Sequence, residues 1–74
     1  MTREFTMNRY DVVYDLRYRV YGQDYDGDLD FDYEIGSLRV FSENGYKVGH
    51  KHLKEEAHKL AQLDACSYIR EHHD

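Results

Sequence analysis

Residues 10–20 read Tyr-Asp-Val-Val-Tyr-Asp-Leu-Arg-Tyr-Arg-Val. Tyr10, Val12, Tyr14, Leu16, Tyr18 and Val20 stand at even positions, and Asp11, Asp15, Arg17 and Arg19 at odd ones. Successive side chains of a strand point to opposite faces, so this period-two pattern dictates a long strand with one apolar face and one charged face. Residues 28–35 repeat the design with opposite parity: Leu29, Phe31, Tyr33 and Ile35 alternate with Asp28, Asp30, Asp32 and Glu34. Two such strands leave an apolar surface that another element must cover. From about His50 the period becomes helical, with Leu53, Ala57, Leu60, Ala61 and Tyr68 along one stripe and Leu63 and Ala65 beside it. The expectation is an α+β fold, an antiparallel meander of three to four strands over residues 9–49 packed on one C-terminal helix over residues 50–72.

Connections follow from turn chemistry. Residues 21–27, Tyr-Gly-Gln-Asp-Tyr-Asp-Gly, suit a first hairpin loop, and the parity change across it is what antiparallel pairing requires. Gly36-Ser37 predicts a two-residue turn of the Gly-first kind, which sets Ile35 opposite Leu38, Tyr33 opposite Val40 and Glu34 opposite Arg39. Glu43-Asn44-Gly45 predicts a three-residue loop with Gly45 left-handed, turning Tyr46 and Val48 to the inner side with Val40 in a short fourth strand. Residues 1–8 show no firm period and are expected to be a frayed lead-in, the alternative being that Phe5 and Met7 extend the first strand.

The chain has 74 residues, one cysteine, no proline, no tryptophan and eight tyrosines. That length fits one compact domain, residues 1–74, whose core gives about 3 to 5 kcal/mol of net stability. A lone Cys66 excludes an internal disulfide framework, and no signal-like or long apolar run stands out, so a reducing, cytoplasmic setting with no membrane contact is expected. Net charge is −5, with a pI near 5.4. This balance disfavours direct binding to nucleic acid and favours a basic partner protein.

The acidic row carries the sharpest functional signal. Asp28, Asp30, Asp32 and Glu34 recur at about 7 Å along one strand face, close to the roughly 6 to 7 Å pitch of phosphates along a nucleic-acid strand. Asp24 and Asp26 extend the row into the loop. The plainer reading is that Arg17, Arg19 and Arg39 neutralise these acids across the sheet. A calcium loop around Gly27 would leave Gly22 and Tyr33 where carboxylate ligands belong, and His50, His52, His58, His72 and His73 lack zinc-ligand spacing, so no metal or cofactor is expected. Cys66, with no paired cysteine or activating base, is expected to be a small helix residue. Tyr10, Tyr14, Tyr18 and Tyr33 share the face that the helix covers and are expected as core or interface rather than base-stacking residues.

In general character, small size and acidic charge rather than any motif, the chain resembles phage-encoded or mobile-element inhibitors of nucleic-acid enzymes, anti-restriction and anti-CRISPR proteins included. That resemblance implies a non-enzymatic protein-binding module, and the acidic row supplies its expected partner-binding residues, Asp24, Asp26, Asp28, Asp30, Asp32 and Glu34, facing a basic, nucleic-acid-binding site. The alternative is a self-associating structural or regulatory subunit, a homodimer joined through strand edges and tyrosine-rich surface.

Overall fold

A computed structural model describes residues 1–72; the expectation for His73 lies outside the described residues. Four strands in the order β1-β2-β3-β4 form one antiparallel sheet, comprising β1 (Thr2–Met7), β2 (Tyr10–Gln23), β3 (Leu29–Phe41) and β4 (Lys47–Val48). One helix, α1 (Lys51–Glu71), lies across the inner face. The α+β meander expected from the alternating stretches is the observed architecture.

The sheet and helix meet through small residues on one side and large ones on the other. Ala57, Ala61 and Ala65 are fully buried, facing Val12, Tyr14, Leu16 and Val40. With only a methyl group at each contact the helix lies close to the sheet, and the strands supply the volume that fills the interior. Ile69 completes the buried stripe of the helix, while Leu63 is 68% exposed. The stripe therefore runs through Ala65 and Ile69 rather than leaning toward Leu63, and Phe31 lies outside the two core clusters that Val12, Leu16 and Val40 anchor.

Residues 1–8 are not a frayed lead-in. Thr2–Met7 pairs with β2, Phe5 opposite Val12 and Met7 opposite Tyr10. Met7 is 3% exposed. Arg3, Phe5 and Met7 alternate with Thr2, Glu4 and Thr6, a run too short and too polar to stand out until β2 supplies a partner. Asn8-Arg9 makes the tight turn, and Asn8 adopts a φ of 56°, a left-handed conformation that Asn tolerates better than most residues.

Gly36-Ser37 is no hairpin turn. β3 runs straight through it, pairing with β2 from Leu29 to Phe41. Val13 faces Arg39 and Asp15 faces Gly36, so Ser37 and Leu38 together oppose the single residue Tyr14. This is a β-bulge, with Ser37 at a φ of 51°. A bulge moves the side-chain alternation by one residue, as a two-residue hairpin does, so Leu38 and Val40 turn inward after Ile35 in either case. Pairing decides between them. A hairpin at Gly36-Ser37 would leave much of the 14-residue β2 without a partner, whereas continuous β3 pairs along nearly all of it. Glu34 consequently faces Arg17 rather than Arg39, and Tyr33 faces Tyr18 rather than Val40.

The loop at Glu43-Asn44-Gly45 forms as expected. Ser42 N–H donates to Tyr46 C=O at 2.8 Å, Gly45 takes a φ of 85°, and Val48 faces Val40. Val48 packs on the core, but Tyr46 is 74% exposed.

Candidate functional site

The acidic residues lie on and around one hairpin. Its loop spans residues 24–28, narrower than the residue 21–27 segment expected, because Tyr21, Gly22 and Gln23 belong to β2. Asp24 builds the turn: its Oδ1 accepts the backbone N–H of Asp26 at 3.0 Å and of Asp28 at 2.9 Å. Its main chain closes the loop, donating to Asp28 C=O at 2.8 Å and accepting from Gly27 N–H at 3.1 Å. Gly27 takes a φ of 85°, which a residue with a Cβ rarely adopts. One carboxylate of the row is therefore engaged with its own backbone, the Asx-turn behaviour that makes Asp a turn residue. Tyr25 projects fully into solvent at the tip.

Along the strands the register decides which acids stand opposite a cation. Arg17 stands opposite Glu34 and Arg19 opposite Asp32. Tyr21 OH donates to Asp32 Oδ2 at 2.7 Å, and the neighbouring carboxylate holds that phenol above its usual pKa. Asp30 faces Gly22, which has no side chain to offer. Arg39 is withdrawn from the row: its Nε donates to Ser37 C=O at 2.8 Å, and its Nη2 lies 3.9 Å from Asp15. Arginines thus stand opposite Glu34 and Asp32 but not Asp30, and the acids with no arginine opposite them, Asp24, Asp26, Asp28 and Asp30, lie toward the tip. On the inner side Arg70 of α1 lines a hollow with Gln23, Gly27, Asp28 and Leu29.

The same half of the molecule has open edges. β1 extends along β2 only as far as Asp15, and β4 pairs with β3 only at Val40 and Phe41. Residues 17–23 and 29–35 form a two-stranded ribbon, backed by the C-terminal part of α1, where Tyr68 meets Tyr18 edge-on at 6.1 Å.

Other candidate residues are placed without forming a centre. The His50 and His52 rings are 5.4 Å apart, His58 Nδ1 is 3.4 Å from Gln62 Nε2, and His72 stacks on Tyr68. Among the described residues no three His, Cys, Asp or Glu side chains are gathered to hold a metal ion. Cys66 lies beside Tyr33, whose hydroxyl is raised in pKa chiefly by their hydrogen bond. Of the four inner-face tyrosines, Tyr14 is fully buried, Tyr10 packs on the core, and Tyr18 and Tyr33 sit at its rim.

One polar cluster escaped the sequence pattern. Asp64 accepts from Arg3 Nε at 3.2 Å, from Arg3 Nη2 at 3.1 Å and from the Tyr14 hydroxyl, tying β1, β2 and α1 together. The Arg3 guanidinium also lies 4.4 Å from the centre of the Tyr68 ring. Burial raises the Tyr14 pKa, and the hydrogen bond to Asp64 raises it further. A carboxylate at position 64, on the same helix stripe as Ala57, Ala61 and Tyr68, is the signal that a buried partner must exist.

These elements define a two-layer α+β module with an acidic, open-edged hairpin. No family model matches the chain, and no curated protein or solved structure matches it. No helix among the described residues is long and apolar enough to cross a membrane.

Proposed function

We propose that this chain is a non-enzymatic binding module that presents its β2–β3 hairpin to a basic, nucleic-acid-binding site on another protein. The observation that carries this reading is the charge of residues 21–34, which hold six acids and no Lys or Arg. Arg17 and Arg19 oppose only the two acids farthest from the tip. Of the remaining four, Asp24 is turned onto its own backbone, and Asp26, Asp28 and Asp30 form a short negative strip beside Tyr25 and Tyr21, rings suited to an interface because they combine apolar area with a polar end. Such a strip favours a site shaped for phosphates, and the role it suits is occlusion of a nucleic-acid enzyme, as in the phage inhibitors that the chain resembles in character.

The test begins with capture of a partner from host lysate and comparison with a variant carrying D28N, D30N and D32N. These substitutions keep side-chain size on exposed positions, so stability should change by less than about 1 kcal/mol in total. Association should weaken by well over about tenfold, or about 1.4 kcal/mol, and the wild-type rate should fall as salt rises. A folded variant that binds as tightly as wild type at low salt rules the reading out.

A further inference from the structure

We infer that the open edge of β3 over residues 29–35 accepts one added antiparallel strand from the partner, a segment in which Lys or Arg alternates with apolar residues. The inference rests on the charge-based reading above and supplies its binding mode. Main-chain direction follows from hydrogen bonds at the other side of the sheet. The Met1 amine donates to Leu16 C=O at 2.8 Å and Leu16 N–H donates to Met1 C=O at 2.7 Å, so the main chain of Leu16 faces β1. Alternation then turns Arg17 and Arg19 toward β3, and their partners Glu34 and Asp32 back toward β2. The N–H and C=O groups of Phe31, Tyr33 and Ile35 are left facing outward, with no strand beyond them among the described residues. Unpaired groups in such a row are a template for another strand.

Charge selects the occupant. In an antiparallel ladder the residues opposite Asp30, Asp32 and Glu34 would form non-hydrogen-bonded pairs, whose side chains stand closest, so cations there meet carboxylates directly. Residues opposite Phe31, Tyr33 and Ile35 would turn inward beside those half-exposed side chains and favour apolar groups. A second copy is a poor occupant. A two-fold pairing of β3 with β3 sets Asp30, Asp32 and Glu34 against the same acids, and a two-fold pairing of β2 with β2 sets Arg17 and Arg19 against themselves. Simple translation brings β1 of one copy to the place β4 of its neighbour occupies. The arginines also make the β2 edge unsuited to a basic strand, leaving β3 as the single receptive edge of the ribbon.

The experiment uses the full chain, isotopically labelled, and two capped peptides of equal composition: one alternating Lys and Val, the other with its Lys and Val in separate blocks. At saturation the alternating peptide should slow amide exchange at Phe31, Tyr33 and Ile35 by about tenfold or more. Asp32 and Glu34, already bonded to β2, should change little. Methylating alternate backbone nitrogens of that peptide should weaken its binding by about tenfold. If the block peptide binds equally well and the outward amides gain no protection from either, strand addition is wrong while the charge-based reading stands. If neither peptide binds at low salt, both are wrong.

Discussion

Asp64→Ala probes the polar tie between helix and sheet. It removes the only acceptor for the Tyr14 hydroxyl among the described residues and leaves Arg3 facing that buried phenol. A hydrogen bond to a charged group contributes about 1.5 to 3 kcal/mol. The Arg3 pair is partly exposed, with side chains 29% and 22% accessible, and adds about 0.5 to 1 kcal/mol. Alanine regains up to about 0.7 kcal/mol of helix propensity over aspartate. The net loss is about 1 to 3 kcal/mol, a large share of the roughly 3 to 5 kcal/mol that a domain this small commands. Urea titration followed by circular dichroism should therefore show a much earlier midpoint with an unchanged slope. Tyr14→Phe alone should cost less, about 1 to 1.5 kcal/mol, because Asp64 keeps Arg3. The double variant should lose less than the sum of the two, since Phe leaves no orphaned hydroxyl. A loss below about 0.5 kcal/mol for Asp64→Ala, or strict additivity, would refute the account of Asp64 as a shared acceptor.

Two further outcomes follow from the same interior. Ala61→Leu inserts bulk where the helix lies on Tyr14 and Leu16, so it should destabilise by about 1 to 3 kcal/mol despite added apolar area, and a melting temperature equal to wild type would mean that the contact is loose. The raised Tyr14 pKa sets a pH dependence: the unfolded phenol releases its proton near about pH 10 while the folded one holds it, so this contribution is complete below about pH 10 and declines as pH rises through the folded value. Tyr14→Phe should flatten that alkaline decline in urea midpoint, and an identical pH profile for the two proteins would remove Tyr14 as its source.

Much of the fold was legible because periodicity is local. Alternation over residues 10–20 required a strand with its even positions buried, and Val12, Tyr14 and Leu16 are buried. The helical stripe required a covering helix, and α1 begins one residue from the expected start. Gly45 specified its loop because a left-handed position is a property of one residue. Register is different, since it depends on which distant segment supplies hydrogen bonds. Parity alone made Gly36-Ser37 consistent with a hairpin or a bulge, and only the need to pair the whole of β2 chose the bulge. The same need recruited residues 2–7 as β1, a segment with too weak a pattern to announce itself. The charges of the acidic row are written in the sequence, but register set their arrangement: Arg17 and Arg19 came to stand opposite Glu34 and Asp32, Arg39 went to Asp15 and Ser37, and Asp30 was left opposite a glycine. The open edge beside that row is likewise a tertiary fact, because it exists only where β1 and β4 stop short of a longer hairpin.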